Sequence, residues 1–317
     1  MTVPEHLAKN KTPRISYELL PPIKGSSIMN IFNTLDQLMA FDPPFINITY
    51  HREETTYVKQ PDGTEKPLIL RKRPGTVGLS AAIKAKYKVD VVPHIICGGF
   101  SKQETEDALI ELDFLGINNL LVLRGDADKN TGRFDPNPAG NMYASELLQQ
   151  IIDMNNGKYF EQYVDNPNHT NFSVGVAGYP EKHAESPNAE KDILYLKKKV
   201  DIGAEYIVTQ MFYDNNVFFD FVEKCHKAGI DVPIIPGIKP ISIKKHLQIL
   251  PKIFHLSMPK ELIKKVESCS ENEDVNKVGI EWAVNQIQEL FDNGSPLIHM
   301  YTMGRAENVV NISKTVL

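Results

Sequence analysis

The feature that most limits how this chain can fold is a repeated two-part unit, a short apolar run followed by a stretch with helical periodicity. The runs are Ile15–Leu19, Phe45–Thr49, Val91–Ile96, Leu120–Arg124, Phe172–Ala177, Tyr206–Thr209, Val232–Ile235 and Leu297–Tyr301. Most are nearly continuous in apolar residues, which suits strands buried on both faces of a parallel sheet. Helix signals fill the gaps. Ser101 and Glu104 have capping-box spacing, and Ala108, Leu109, Leu112 and Leu115 form one stripe that stops at Gly116. Ala189, Ile193, Leu196 and Val200 repeat the spacing up to Gly203, as do Ile280, Val284, Ile287 and Phe291 before Asn293 and Gly294. About eight such units in 317 residues predict an α/β chain, a (β/α)8 TIM-type barrel with extended loops at its C-terminal face, spanning residues 1–317 as one domain. The rival doubly wound sheet usually announces a dinucleotide site by GxGxxG after its first strand, and none occurs here.

Three stretches, near 52–74, 127–141 and 156–171, are rich in Gly, Pro, Asn, Asp and charge and read as loops. The first two follow strands, which puts them on the rim where barrels do chemistry. The net charge of −5 offers no basic face for a phosphate backbone, so nucleic acid is a poor partner. Cys97, Cys225 and Cys269 form no CxxC, which argues against a disulfide framework or a thiolate zinc site and suits a reducing cytoplasm. No secretory h-region and no apolar run of membrane-spanning length is present, so a soluble protein is expected.

Polar residues at the C-terminal ends of barrel strands converge on one face. Here these are Ser16, Tyr17 and Glu18; Thr49 and Tyr50; His94; Arg124, Gly125 and Asp126; Tyr179 and His183; Thr209 and Gln210; Tyr301 and Arg305. Glu18 is the obvious acid, and the set as a whole indicates an enzyme for a polar substrate. Structural roles compete at each position: an ion pair for Glu18, a turn cap for Asp126, a satisfied core histidine for His94, a backbone bond for Gln210. No His/carboxylate pair has ligand spacing such as HExxH, so no metal is expected. Lys239, in PGIKP, is either an exposed loop lysine or a desolvated amine able to form a Schiff base, as in class I aldolases.

Taken in order, these segments resemble the methylenetetrahydrofolate reductase family. The matching stretches are SYELLPP (16–22), NITY (47–50), VPHIIC (92–97), LRGD (123–126), MYASEL (142–147), GYPEKH (178–183), DILYLKKKVDIGA (192–204), TQMFYD (209–214), IIPGIKPI (234–241) and YTMGRAE (301–307). None is decisive alone; their joint order over nearly the whole chain is specific. The resemblance implies a barrel that holds FAD at its mouth, takes a hydride from NADH or NADPH, and passes it in ping-pong fashion to 5,10-methylenetetrahydrofolate. Glu18 then matches the general acid that protonates folate nitrogen-10, and Asp126 the aspartate beside the flavin pyrimidine edge. Thr49, His94, Arg124, Gly125, Tyr143, Ala144, Tyr179, His183, Asp192 and Lys199 match positions around the flavin and its diphosphate. Gln210 matches the residue that grips the pterin, and Tyr301 and Arg305 fall on the substrate side. A homo-oligomer is also implied.

The chain departs from the family pattern at several points. Leu19 and Leu20 replace an aromatic pair, Gly304 stands for an asparagine, Lys239 for a commonly apolar residue, and the 52–74 stretch is longer. These differences bear on pocket shape and nicotinamide preference. A regulatory domain like that of the animal enzymes, and inhibition by S-adenosylmethionine, are not expected. The alternatives are a class I aldolase-type lyase using Lys239 and a non-catalytic flavin- or pterin-binding module.

Overall fold

The computed structural model describes residues 1–9, 12–23, 25–50, 54–70, 73–126, 134–160, 164–302 and 306–317. The strands are β1 (Arg14–Leu19), β2 (Phe45–Ile48), β3 (Glu54–Lys59), β4 (Glu65–Leu70), β5 (Asp90–Ile96), β6 (Asn119–Leu123), β7 (Ser173–Gly178), β8 (Tyr206–Thr209), β9 (Ile234–Ile235), β10 (Gly237–Ile238) and β11 (Leu297–Tyr301). The α-helices are α1 (Val3–Lys9), α2 (Met29–Leu38), α3 (Thr76–Tyr87), α4 (Lys102–Phe114), α5 (Ala144–Asn155), α6 (Ala189–Ile202), α7 (Asn215–Lys227), α8 (His246–Phe254), α9 (Lys260–Ser268), α10 (Asn272–Asp292) and α11 (Glu307–Val316).

One parallel sheet runs in the order β10-β11-β1-β2-β5-β6-β7-β8-β9. Its two ends, β9 and β10, are halves of a single strand divided at Pro236. Proline has no amide to give a ladder, but the Pro236 carbonyl still accepts from His299 N at 2.9 Å. One half pairs with β8 and the other with β11, so the ring closes as the expected eight-stranded (β/α)8 barrel.

Strand alternation sorts the side chains. Ile15, Tyr17 and Leu19 of β1 face the helices and join the large outer core. Phe45, Val92, Leu121, Tyr206, Val208, Ile235 and Leu297 fill the lower barrel interior, and Val3 of α1 packs into the same cluster. Val3 N donates to Asn119 Oδ1 at 2.9 Å, at the first residue of β6, so α1 plugs the N-terminal end of the barrel. The C-terminal end is the one at which such barrels carry their chemistry. Within the barrel, Gly175 makes room for Tyr206, whose ring would lie 2.1 Å from a Cβ at that position.

The expected helix punctuation is present. Glu104 N donates to Ser101 Oγ at 3.1 Å and Ser101 N to Glu104 Oε2 at 2.8 Å. Gly116 and Gly203 take φ values of +63° and +135°. In α10 the buried face is Val275, Gly279, Ala283, Gln286, Ile287 and Leu290, turned from the expected stripe because Gly279 packs against the Ile241 carbonyl. The reading of 52–74 as loop is corrected: β3 and β4 pair as an antiparallel hairpin, with Gln60 N donating to Thr64 O at 2.7 Å across the turn. Alternating Thr, Tyr, Val, Leu and Ile around a Pro-Asp-Gly turn outweigh the charge there. Residues 134–141 and 164–171 carry no helix or strand; residues 127–133 lie outside those described. Among the described residues no helix is long and apolar enough to cross a membrane.

Candidate active site

Above its apolar floor the barrel interior turns polar. Ser16, Asn47, His94, Thr209 and His299 are all buried there. Register explains the grouping: Ser16 lies level with His299, while Glu18, one layer up, lies level with Asn47 and Tyr301. Glu18 Oε2 sits 3.7 Å from His94 Nε2 and 3.8 Å from His299 Nε2, with its side chain 15% exposed. Both separations exceed a hydrogen bond. Ser16 Oγ and His299 Nδ1 are 2.9 Å apart, and His299 Nε2 has no hydrogen-bond partner among the described residues. Asn47 Nδ2 lies 3.3 Å from His94 Nε2. A carboxyl group thus reaches the barrel mouth flanked by two imidazoles: Ser16 meets His299 at the nitrogen away from Glu18, and Asn47 meets His94 at the nitrogen that also faces Glu18.

Beside this polar layer lies a cavity of about 500 Å³ whose walls include Arg124, Tyr143, Ala144, Tyr179, His183, Asp192 and Lys199. The ends of β6 and β7 and the N-terminal parts of α5 and α6 bring them together. Arg124 donates from both terminal nitrogens to the Glu185 carboxylate, at 2.6 and 2.5 Å, with its guanidinium 4.8 Å from the Phe134 ring centre. That pairing raises the Arg124 pKa and lowers that of Glu185. Asp192 accepts from His183 N at 3.1 Å and from Ser186 Oγ at 2.6 Å, tying the 183–186 turn to α6. His183 Nδ1 accepts from Glu185 N at 3.2 Å, so the neutral ring carries its proton on Nε2. Burial, reinforced by the Arg124 charge, lowers the His183 pKa. Lys199 donates to Ala177 O at 3.0 Å, and burial pulls its ammonium down to about 8 against the opposing pull of Asp192.

The two clusters meet at Tyr179 and Tyr301. Tyr301 donates to Thr209 O at 2.6 Å, and burial together with the charges of Glu18 and Tyr179 holds its hydroxyl well above the usual tyrosine value. Tyr179 is pushed up to about 12 by burial, then by Asp192 and, among others, by Asp126. Asp126 is exposed, just past Gly125, whose φ of +95° and near contact with Ile96 favour glycine. Gln210 is half-buried and its Oε1 accepts from Met211 N at 2.9 Å; Thr49 Oγ1 donates to Leu19 O at 3.3 Å. Arg305 and Gly304 lie outside the described residues. Among the described residues no group of acidic, histidine and cysteine side chains could hold a metal.

Tyr17 does not join the site. It points outward, its hydroxyl 2.9 Å from Ser313 Oγ, because it is out of phase with Ser16 and Glu18. Sequence reasoning missed His299, Asn47 and Glu185. His299 could have been found by stepping back two residues from Tyr301 on an inward strand face. Glu185 could not, since only tertiary structure sets it against Arg124.

A sequence model of the family described as methylenetetrahydrofolate reductase matches residues 3–316. The chain belongs to the methylenetetrahydrofolate reductase family. It is 29% identical to a probable methylenetetrahydrofolate reductase (NADPH) of Caenorhabditis elegans, an alignment covering 98% of this chain and 43% of that protein. It is 29% identical to methylenetetrahydrofolate reductase (NADH) 1 of Arabidopsis thaliana, over 94% of this chain and 47% of that protein. The chain therefore spans about half the length of these relatives. Against the 5,10-methylenetetrahydrofolate reductase of Escherichia coli it is 27% identical, over 95% of this chain and 90% of that protein. Among solved structures, a Clostridium thermocellum protein that binds two copies of 5-methyl-5,6,7,8-tetrahydrofolic acid superposes with a TM-score of 0.59 at 13% identity, over 98% of both chains. At that identity the likeness speaks to the fold.

As a member of the methylenetetrahydrofolate reductase family the chain shows its departures in concrete form. Leu19 faces the helical layer, away from the mouth. The reading of Lys239 as an exposed loop lysine is corrected: it is 6% exposed, directly after β10, the half-strand that closes the ring against β11.

Proposed function

We propose that this chain reduces 5,10-methylenetetrahydrofolate to 5-methyltetrahydrofolate, with FAD held at the barrel mouth and NADH or NADPH as hydride donor. The observation that carries the reading is the lining of a single cavity by Arg124, Tyr143, Ala144, Tyr179, His183, Asp192 and Lys199, which adjoins the Glu18 carboxyl through Tyr179 and Tyr301. The donor set fits a flavin dinucleotide. Arg124 carries a fork that the ligand would take over from Glu185, Lys199 is a desolvated cation and α5 offers first-turn amides, three features that together suit a diphosphate. His183 adds an Nε2 proton, and Gly125 permits close approach of a flat ring.

When bound, the flavin supplies hydride transfer in two halves, first from the nicotinamide and then to the folate. The chain supplies the proton. Opening the five-membered folate ring needs protonation at nitrogen-10, and Glu18 is the acid at the mouth. The carboxylate left behind lies between His94 and His299, and Ser16 fixes the His299 ring. Asp126 places a negative charge beside the mouth, suited to the cationic iminium that ring opening creates at folate nitrogen-5. With its oxygen occupied by Met211 N, Gln210 has its amide N–H groups left to hold the pterin. Thr49 is assigned to the flavin and Tyr301 to the substrate, as is Arg305 by family resemblance alone. The printed names of the relatives, one NADPH and one NADH, support a nicotinamide donor. The reading takes residues 1–317 as one catalytic domain acting in the cytoplasm as a homo-oligomer, without nucleic acid or membrane partners.

Purified protein is expected to be yellow. Anaerobic NADH or NADPH bleaches it, and methylenetetrahydrofolate restores the colour. Protein that takes up no flavin, or flavin that folate cannot reoxidise, overturns the reading. Lys239 is the one feature that favours a Schiff-base lyase. Borohydride trapping with carbonyl compounds that leaves Lys239 unlabelled removes that alternative.

A further inference from the structure

Lys239 has no place in the chemistry above, yet the fold holds it in a costly position. It is 6% exposed, and among the described residues its amine makes no hydrogen bond or ion pair. The strand that it directly follows places it. Gly237 and Ile238 of β10 lie level with His299 and Met300 of β11. Ile238 joins the outer core, whereas a Cβ at Gly237 would meet Thr209 O at 2.3 Å and the Tyr301 hydroxyl at 2.7 Å, on the inner face. Alternation then directs Lys239 to the same inner face, one layer higher. The flanking strands carry Gln210 just past β8 and Tyr301 at the end of β11. Lys239 therefore follows the strand that lies between the two that lead to the residues assigned to the substrate.

Among the described residues its charge is uncompensated. Burial pulls the amine down to about 8, and no described carboxylate acts to restore it. The group that it does influence, His246 at the start of α8, is a base, pushed down to about 4 by burial and by Lys239 itself. His246 Nδ1 is already occupied, accepting from Ser242 N at 3.2 Å. A buried ammonium without a counter-ion destabilises a fold, and an anionic ligand is the partner that reverses this.

Building on the reductase reading, we propose that Lys239 is an anion-recognition residue in the substrate half of the barrel mouth, where it takes a carboxylate or phosphate oxygen of the ligand lying beside Glu18 and Gln210. Two sources share this chemistry: the glutamate carboxylates of the folate, and the phosphates of the nicotinamide nucleotide.

The test uses flavin-loaded wild type, Lys239→Met and Lys239→Arg. Dissociation constants for tetrahydrofolate, for its analogue lacking the glutamate, and for NAD⁺ and NADP⁺, none of which reduces the flavin, are read from shifts in flavin absorbance. Proton uptake on binding is measured near pH 8 by calorimetry in buffers of different ionisation heat. The expected result is that wild type takes up protons on binding one ligand class, whereas Lys239→Met takes up none and binds that class about 10- to 100-fold more weakly; Lys239→Arg keeps most of the affinity. If the loss appears with the folate and vanishes with the truncated analogue, the anion is the glutamate. A loss confined to the nicotinamide nucleotides identifies their phosphate. Lys239→Met, which removes a desolvated charge, is expected to unfold at the same or higher urea concentration. Unchanged affinities and proton uptake in Lys239→Met overturn the inference, as does a marked loss of stability, which would assign Lys239 to the scaffold. Bleaching by nicotinamide and reoxidation by folate in wild type test the reductase reading separately, whatever Lys239 does.

Discussion

Glu18 is carried to the barrel mouth by an odd–even rule: Ser16 and Glu18 point inward, Ile15, Tyr17 and Leu19 outward. Its surroundings give it one partner class, histidine, on two sides. Glu18→Gln keeps the shape and removes the transferable proton. The expected outcome is normal bleaching of flavin by reduced nicotinamide and folate-driven reoxidation slowed by about 10²–10⁴-fold in stopped flow. Reoxidation at the wild-type rate would falsify the assignment of Glu18 as the acid. Glu185 offers a second residue-scale test. Its carboxylate occupies the Arg124 fork that a flavin diphosphate would need. Because the pair is part-exposed, its worth is modest: Glu185→Gln is expected to tighten flavin binding by about two- to fivefold, measured by quenching of flavin fluorescence. Weaker binding in that variant would mean that Glu185 helps to hold the cofactor.

At the scale of elements, the strand divided at Pro236 is the closure of the ring. β9 and β10 contribute two residues each, so the join depends on backbone approach more than on ladder length. Gly237 allows that approach, lying where any Cβ would strike Thr209 O and the Tyr301 side chain. Thr209 Oγ1 accepts from Gly237 N at 3.0 Å and so ties the closing strand to β8. Gly237→Ala is therefore expected to cost about 1–3 kcal/mol in urea denaturation and to shift Tyr301, with activity falling more than stability explains. An alanine variant of wild-type stability and turnover would show that the join relaxes freely. The Ser101–Glu104 capping box, by contrast, is a local device at the start of α4 and was readable from two residues alone.

Across the whole molecule, the buried ionisable groups fix how stability follows pH. Lys199 and Lys239 are lowered from 10.5 to about 8. Between those values the unfolded chain binds more protons than the folded one, so the flavin-free protein gains stability as pH rises from about 8. Tyr17 and Tyr179 are raised from 10.0 to about 12, so the stability they contribute is full below pH 10 and is lost as pH climbs toward 12. The urea midpoint is expected to rise from pH 8, peak near pH 10, and then fall. A midpoint that falls steadily from pH 8 would contradict the burial of both lysines.

Much of this protein was determined by sequence alone, because its instructions are local. Continuous apolar runs mark strands buried on both faces, Ser101 and Gly116 bracket a helix, and short segments such as LRGD and GYPEKH carry the family resemblance. What tertiary structure decided are the relations between residues far apart in the chain. It placed Glu18 between His94 and His299, set Glu185 on Arg124, turned 54–70 into a hairpin and buried Lys239. The physical reason is range: periodicity and capping act within a few turns or residues, whereas charge pairing and desolvation depend on which strands become neighbours when the ring closes.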